Sequence, residues 1–301
     1  MFDIFNQVQE PPQDDAVYSN EKKIPVGNVF VISVGGSLIV NETPNPEMLQ
    51  KIANAVSSLH DSGKKIVLVV GGGKTARNYV EAFGSLNNFE KDLLGIQITR
   101  ANAFLLASYI PNAHKEVLSE ITHAKSILDS GKIPVFGGLM PFFTTDAVGA
   151  LLAEYLGGSF INLTNVAGIY NADPKEFAEA KRFDEISYSR LVSMISDVGS
   201  MPGQNVVLDL ACCMILQRSR IPAVVLDGND TDNFSNYIRG FSFVGTVIKE
   251  NAQEEISSEE IEELMPKKKP RKKKKSNASE KIKVYRDDEP FSARDINNLK
   301  L

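Results

Sequence analysis

The segment IVLVVGGG at residues 66–73 joins five consecutive apolar side chains to a run of three glycines. An apolar run without polar alternation is typical of a strand in a parallel sheet that helices cover on both faces. The glycines indicate a tight turn directly after that strand, at its carboxyl end. In parallel sheets, ligands bind beyond the carboxyl ends of the strands. This one segment therefore predicts an α/β fold with a binding site beside residues 71–73.

The same pattern of a short apolar strand followed by glycine occurs on either side of this segment, at residues 30–36 and 133–138. Residues 46–62 have the spacing of a helix, with Pro46 near the start and Gly63 just after the end. Strands that alternate with helices predict a single αβα sandwich with a mostly parallel central sheet. The apolar stripe of the predicted helix consists of Leu49, Ile52, Ala53, Val56 and Leu59. The other predicted elements are strands at 160–163 and 224–226 and helices that begin near Thr75 and Asp146.

Composition and charge restrict the class of protein. The chain has 301 residues, of which 43% are hydrophobic and 24% charged, as in globular proteins. A net charge of −5 argues against a general nucleic-acid-binding protein. The longest apolar run is far shorter than the roughly 18 residues of a membrane span, and the amino terminus lacks the pattern of a secretory signal. We therefore expect a cytoplasmic protein, in which the adjacent Cys212 and Cys213 are buried helix residues rather than disulfide or metal ligands.

Charged residues divide the chain into three parts. Residues 1–27 are expected to form a flexible N-terminal arm, and residues 28–250 hold the predicted domain. Residues 251–301 contain an acidic stretch and then a basic stretch from Lys267 to Lys275, and such blocks of like charge predict a disordered C-terminal extension. Eight of the nine residues in the basic stretch are Lys or Arg. It is either a solvated spacer or a site of weak contact with nucleic acid or an acidic partner.

Glycine turns at the ends of three strands predict an anion-binding site. Gly35-Gly36, Gly71-Gly72-Gly73 and Gly137-Gly138 leave backbone N–H groups open, and the helices that follow favour negative charge at their amino ends. One such turn is usually structural, whereas three in equivalent positions indicate a polyphosphate site. Neither a Walker motif nor a G-x-G-x-x-G motif is present, so the positive charge comes from elsewhere. Lys74 and Arg77, directly after the second turn, are placed to supply it.

Three further positions leave two interpretations open. Thr144 or Thr145 can cap the next helix, in which Asp146 is either a helix-start acid or a group that orients Mg²⁺. The phenylalanines at 142–143 either join the core or lie against a nucleobase. Tyr170 either packs in its loop or stacks on an adenine.

Several short motifs resemble, in their order along the chain, those of the amino acid kinase family over roughly residues 28–248. The motifs are VGGS at 34–37, GGGKTAR at 71–77, GIQITRANA at 95–103, PFFTTD at 141–146, and TNV at 164–166 with YNADP at 170–174. Each motif is weak alone, whereas the ordered set is specific. Within the family, the set is most similar to the archaeal enzymes that phosphorylate UMP.

The resemblance implies transfer of the γ-phosphoryl group of ATP, with Mg²⁺ as cofactor, to UMP in pyrimidine nucleotide biosynthesis. The residues implied in catalysis are Lys74, Arg77 and Asp146, and no dedicated metal ligands are implied. The implied ATP-binding residues are Ser33, Val34, Gly35, Gly36, Ser37, Gly73, Arg77, Thr164, Asn165, Tyr170 and Asp173. The implied UMP-binding residues are Gly72, Asp92, Leu139, Met140, Pro141, Phe142, Phe143, Thr144 and Thr145, with Asp92 on the ribose. The resemblance also implies a homohexamer, in which the helix of residues 96–107 lies near a contact between two copies.

The chain departs from the family's pattern at two positions. Ser33 stands where many relatives carry a lysine, and Ala167 where similar sequences often carry an aspartate. Because a serine cannot offset charge on the transferring phosphoryl group, the resemblance implies that Lys74, Arg77, Mg²⁺ and loop amides do so. No histidine lies in a glycine turn, and the acceptor phosphate, already ionised near pH 7, needs no strong base. Two alternatives stay open, which are a kinase of the same fold with another acceptor and a non-catalytic nucleotide-binding scaffold.

Overall fold

The computed structural model describes residues 27–252, except for residue 83, residues 85–86 and residues 198–206. Apart from Gly27, the predicted N-terminal arm lies outside the described residues, as does the predicted C-terminal extension after residue 252 with its basic stretch. The predictions for both segments therefore stay predictions. None of the helices among the described residues is long and apolar enough to cross a membrane.

A single seven-stranded sheet lies at the centre of the described structure. Its strands are β1 (Val29–Val34), β2 (Lys65–Val70), β3 (Val135–Phe136), β4 (Ser159–Thr164), β5 (Glu185–Ser187), β6 (Ala223–Asp227) and β7 (Thr246–Lys249). They are arranged in the order β3-β2-β1-β4-β6-β7-β5. Every neighbouring pair is parallel except β6 and β7. The predicted, mostly parallel sheet is confirmed, and the two strands that the sequence did not predict, β5 and β7, extend it at one end.

Helices connect the strands and cover the sheet. They are α1 (Gly36–Ile39), α2 (Pro46–Asp61), α3 (Gly73–Ala82), α4 (Asn88–Tyr109), α5 (His123–Asp129), α6 (Thr145–Leu156), α7 (Tyr188–Asp197), α8 (Leu210–Ser219) and α9 (Thr231–Arg239). Helix α2 confirms the prediction for residues 46–62, because its apolar stripe is buried and the Asn45 side chain caps its start. Helix α3 begins two residues before Thr75, at the last glycine of the second turn. The third glycine turn, unlike the other two, leads into a loop of residues 139–144 before α6 begins.

Neighbouring residues of β1 face opposite sides of the sheet and join two separate cores. Val31 packs in the core that contains residues of α6 and α8, and Ile32 packs in the core that contains residues of α2, α4 and α9. Helices on both faces confirm the predicted αβα sandwich. Cys212 and Cys213 lie buried on α8, as predicted.

Candidate active site

The glycine turns after β1 and β2 meet at one edge of the sheet. Val34 and Val70 are neighbours in the parallel register, so the two turns begin side by side. A Cβ atom at Gly36 would lie 2.3 Å from the carbonyl oxygen of Gly71, and one at Gly73 would lie 2.6 Å from the carbonyl carbon of Gly36. Only glycine permits so close a backbone contact. The prediction that these two turns share one edge is confirmed.

Helix α4 ties the third glycine turn to the second. Thr99 Oγ1 accepts a hydrogen bond from the N–H of Gly138 at 2.7 Å. Asn102 Nδ2 donates to the carbonyl oxygens of Gly71 at 3.0 Å and Gly72 at 3.3 Å. Thr99 and Asn102 belong to the GIQITRANA motif, but no local signal in the sequence shows which distant loop a helix side chain contacts.

A cavity of about 550 Å³, which we call the Tyr170 cavity, lies beside the glycine turns. Its volume falls within the range of sites for small molecules. The predicted ATP-binding residues that line it are Ser37, Arg77, Thr164, Asn165, Tyr170 and Asp173. The rest of its wall consists of Val166, Ile169, Ala172, Pro174, Lys175, Leu191, Met194, Ile195, Val207 and Leu208. The wall thus combines polar and apolar side chains, as sites for small molecules do.

A second cavity of about 430 Å³, the Asp92 cavity, lies between α3, α4 and the loop of residues 139–144. The predicted UMP-binding residues that line it are Gly72, Asp92, Met140, Phe142, Phe143, Thr144 and Thr145. The rest of its wall consists of Gly73, Ala76, Arg77, Val80, Lys91, Gly95, Ile96, Thr99 and Gly138. Leu139 and Pro141 belong to the same loop but do not line the cavity.

Arg77 on α3 lines both cavities, so it stands where two ligands would meet. Lys74 lines neither, because its Nζ donates to Glu42 Oε1 at 2.8 Å in an exposed ion pair. Of the residues predicted for catalysis, Arg77 therefore lies at the junction of the two cavities, whereas Lys74 lies outside both.

The first glycine turn, Gly35-Gly36, lines neither cavity. Ser33 and Val34 are buried in β1, and the N–H of Gly35 donates to the carbonyl oxygen of Leu163 at 2.9 Å. Of the predicted ATP-binding residues, those that line neither cavity are Ser33, Val34, Gly35 and Gly36. Gly73 lines the Asp92 cavity instead of the Tyr170 cavity.

Asp146, the second residue of α6, is partly buried against β1 and β4 and has an unusual pKa. Ser33 Oγ donates to its Oδ1 at 2.6 Å, and Asn162 Nδ2 donates to the same oxygen at 2.8 Å. Burial raises the pKa of Asp146 to about 6, and the nearby charge of Asp209 adds to the rise, although both hydrogen bonds oppose it. The other side-chain atom of Asn162, Oδ1, is buried and has no partner among the described residues.

Asp209 joins the caps of two helices, a contact that was not predicted from the sequence. Its Oδ1 accepts the N–H of Cys212 at 3.0 Å and caps α8, and its Oδ2 accepts a short hydrogen bond from Thr144 Oγ1. Thr144 in turn caps α6 by accepting the N–H of Ala147 at 3.2 Å, which confirms the predicted cap. An aspartate directly before a helix was a visible capping signal. The contact of Asp209 with Thr144, the cap of α6, had no such signal in the sequence.

Asp92 holds the loop that closes the Asp92 cavity. Its Oδ2 accepts the backbone N–H of Phe142 at 2.8 Å. Phe142 has a φ of 75° and is 82% exposed, which is a strained backbone for a residue with a bulky side chain. The ring of Phe142 meets that of Phe143 edge to face at 6.0 Å. Phe142 therefore points outward over the cavity rather than into the core.

The chain matches one protein family and closely similar proteins from archaea. The sequence profile of the amino acid kinase family matches residues 28–227. The chain is 42% identical over 226 residues to a uridylate kinase of Methanocorpusculum labreanum, across 74% of this chain and 96% of the relative. It is 39% identical over 221 residues to a uridylate kinase of Archaeoglobus fulgidus, across 72% of this chain and 98% of the relative.

Solved structures show the same similarity. The crystal structure of the uridylate kinase from Archaeoglobus fulgidus aligns with a TM-score of 0.65 at 37% identity, across 73% of this chain and 99% of that one. The crystal structure of the UMP kinase from Bacillus anthracis aligns with a TM-score of 0.63 at 21% identity, across 75% of this chain and 97% of that one. The second similarity concerns the fold alone.

Proposed function

The chain belongs to the amino acid kinase family, and from that premise we propose that it transfers the γ-phosphoryl group of ATP to the phosphate of UMP, giving ADP and UDP. The observation that carries the proposal is the pair of cavities that share Arg77. Two nucleotides whose phosphates point toward Arg77 hold the transferring group between them, as phosphoryl transfer requires. The similarity to uridylate kinases supports UMP as the acceptor.

We assign ATP to the Tyr170 cavity. The ring of Tyr170 and the apolar side chains of Ile169 and Met194 suit the adenine base. Arg77 and Ser37, at the glycine turns, lie at the phosphate end of this cavity. Backbone N–H groups of these two turns, other than those of Gly35 and Gly71, which already donate to carbonyl oxygens, add the partial positive charge that phosphates favour.

We assign UMP to the Asp92 cavity. Asp92 accepts hydrogen bonds from the ribose hydroxyl groups, in addition to the N–H of Phe142 that it already holds. Gly72 has no side chain between the backbone and the acceptor phosphate, and a Cβ atom there would lie 2.4 Å from the Cβ of Ala76. The loop of residues 139–144 then faces the uracil base.

Arg77 is the principal cation of the proposed reaction, because its guanidinium can contact the phosphates of both nucleotides. Lys74 is a second candidate, provided that the phosphates draw its ammonium away from Glu42. Phosphoryl transfer depends mainly on positioning and electrostatic stabilisation. An ionised acceptor phosphate needs no base to remove a proton, so a serine at position 33 is compatible with the reaction.

Asp146 and Asn162 fit a Mg²⁺ ion that substrate phosphates would help to hold. Mg²⁺ usually keeps several waters and takes only one or two protein carboxylates. Among the described residues, no group of three His, Cys, Asp or Glu side chains is placed to hold a metal by itself. Both hydrogen bonds to Asp146 reach Oδ1, which leaves Oδ2 available, and the unpartnered Oδ1 of Asn162 is a second oxygen beside it. We propose these two residues as its protein contacts, and the bound ion supplies positive charge to the phosphates.

The decisive experiment measures product formation from ATP with a panel of acceptors, namely UMP, CMP, AMP and acetylglutamate. We expect UMP to have the highest kcat/KM. Preference for another acceptor would leave the fold assignment intact and reject UMP as the substrate. An Asp92→Ala variant is expected to raise KM for UMP more than it lowers kcat, which tests the assignment of the Asp92 cavity.

The position of Ser33 favours one other candidate function, a non-catalytic protein that binds nucleotides. The Ser33 hydroxyl is held by Asp146 and offers no charge to a transferring group. Calorimetric binding of ATP without turnover of any acceptor in the panel would support this alternative.

We further propose, from the family resemblance, that the enzyme acts in cytoplasmic pyrimidine nucleotide biosynthesis and assembles as a homohexamer. Helix α4 supports a contact between copies, because Phe89 and Phe104 are 60% and 58% exposed on it. Light scattering of the purified chain measures the number of copies directly.

A further inference from the structure

Lys91 is a partly buried cation in the wall of the Asp92 cavity. Its ammonium forms neither an ion pair nor a hydrogen bond with any residue in the described part of the chain. Lys74 differs in this respect, because it is neutralised by Glu42. The Asp92 cavity therefore contains two cations, Arg77 at the junction with the other cavity and Lys91 elsewhere in its wall.

Helix stability does not account for Lys91. It follows directly after the capping box that Asn87 and Glu90 form at the start of α4. As the fourth residue of α4, Lys91 lies near the end of the helix that favours acidic residues, so the helix dipole gives its charge no stabilisation.

The distance between Lys91 and the glycine turns follows from their positions along α4. Thr99 lies at the glycine end of the cavity, where its Oγ1 accepts the N–H of Gly138 and its Cγ2 lies close to Gly72. Lys91 precedes Thr99 by eight residues, which at about 1.5 Å per residue is about 12 Å along the helix. A phosphate beside Arg77 and Gly72 thus places the nucleoside, rather than the phosphate, near Lys91.

We propose that Lys91 donates a hydrogen bond to the 4-carbonyl oxygen of the acceptor's uracil and so selects UMP over CMP, an inference that rests on the proposed function. An ammonium group has three donors and no acceptor. Cytosine carries an amino group in place of that carbonyl, and two donors that face each other form no hydrogen bond. Asp92, the next residue along the chain, accepts from ribose hydroxyls, so the pair offers a donor for the base and an acceptor for the sugar.

The test is calorimetric binding of UMP and CMP to the full chain and to Lys91→Met, which keeps the length and apolar stem of the side chain. We expect the Kd for UMP to rise about tenfold or more and the Kd for CMP to change much less, as for loss of one charged hydrogen bond. Lys91→Arg, which keeps the charge and donors, is expected to retain most of the discrimination. The matched control is Lys125→Met on α5, which removes the same charge from an exposed position outside both cavities and leaves both Kd values unchanged.

Equal weakening of UMP and CMP in Lys91→Met would overturn the proposal, because it would show general attraction of anions rather than recognition of the base. An unchanged Kd for UMP would overturn it as well. These outcomes are separate from the proposed function, which the turnover experiment tests. A chain that binds UMP through Lys91 but phosphorylates no acceptor refutes the kinase and supports the role of Lys91.

Discussion

The carboxyl group of Asp146 accepts two hydrogen bonds on one oxygen, and both favour its charged form. Burial nevertheless outweighs them and raises the pKa of Asp146 to about 6. A carboxyl with this pKa changes charge just below neutral pH. If Asp146 helps to hold the cation that ATP brings, its protonation must be visible in the rate of the reaction.

Ser33→Ala is expected to move the acid limb of the pH–rate profile to higher pH. The Ser33 hydroxyl lowers the pKa of Asp146, so its removal raises that pKa further and protonates Asp146 earlier on acidification. The measurement is kcat at saturating ATP, Mg²⁺ and UMP from about pH 5 to pH 8. The ionisation of UMP is the same for both proteins, so any difference between the profiles comes from the enzyme. If the acid limbs of the two profiles coincide, protonation of Asp146 does not control the rate.

Asp146→Asn is expected to lower kcat and to stabilise the folded protein above pH 6. An acid whose pKa is raised on folding holds its proton more tightly in the folded state, so stability is lost as pH rises through the folded pKa of about 6. An asparagine does not titrate, so the expected gain is about 3 kcal/mol at pH 8 and only a small part of that at about pH 4. Urea unfolding at both pH values measures it. An equal effect at the two pH values would show that the charge of Asp146 is not the cause.

Arg77→Met is expected to lower kcat at least about a hundredfold and to raise KM for both nucleotides, since this one guanidinium lines both cavities. Initial rates with ATP and UMP varied in turn separate the two KM values. Arg239→Met is the matched control, because Arg239 donates to Ser58 and lines neither nucleotide cavity. If KM changes for only one of the two nucleotides, Arg77 acts in the binding site of that nucleotide alone.

At the scale of elements, the loop of residues 139–144 contains a strained backbone conformation that a hydrogen bond holds in place. Phe142 has a φ of 75°, and the N–H of the same residue is held by Asp92 at 2.8 Å. A left-handed backbone costs a non-glycine residue about 1 kcal/mol or more. Strain of this kind persists only where surrounding contacts enforce it, and it often occurs beside ligands. The hydrogen bond from the N–H of Phe142 to Asp92 is one contact that enforces the strained conformation of this loop.

Phe142→Gly is expected to be more stable than Phe142→Ala by about 1 kcal/mol, although glycine normally destabilises a folded chain relative to alanine. Both variants remove an aromatic ring that is 82% exposed, so the difference between them reports on the backbone alone. Urea unfolding of the two variants measures this difference. A less stable glycine variant would show that the left-handed conformation of Phe142 is not strained.

Local patterns predicted the elements better than the contacts between them. Helix α2 was predictable because its apolar stripe repeats with the helical period and Pro46 marks its start. Strand β5 was not, since three residues are too few to show alternation. The ion pair that holds Lys74 joins it to Glu42, 32 residues away, and depends on how α1 packs against α3. The sequence therefore predicted which turns lie at the edge of the sheet, whereas the contacts of Asp209 and Asn102 depend on how distant segments pack.

At the scale of the whole molecule, every described residue that lines the two cavities lies between Ser37 and Leu208. The last strand of the sheet, β7, ends at Lys249. No residue that we assign to the proposed reaction lies in residues 253–301. The sequence divides that extension into an acidic part, residues 254–263, and the basic stretch, which suggests a role separate from the transfer of phosphate.

A chain that ends after residue 252 is expected to keep kcat and both KM values within about twofold, and to lose retention on immobilised RNA at low salt. Retention by eight Lys and Arg residues depends on counterion release, so it must fall steeply as salt rises. A chain that ends after residue 265 keeps the acidic part without the basic stretch and is the matched control, for which we also expect no retention. If the full chain is not retained, the neighbouring acids mask the basic stretch or it serves only as a spacer. If instead kcat falls with truncation, the extension contributes to the catalytic domain and the boundary at residue 250 is wrong.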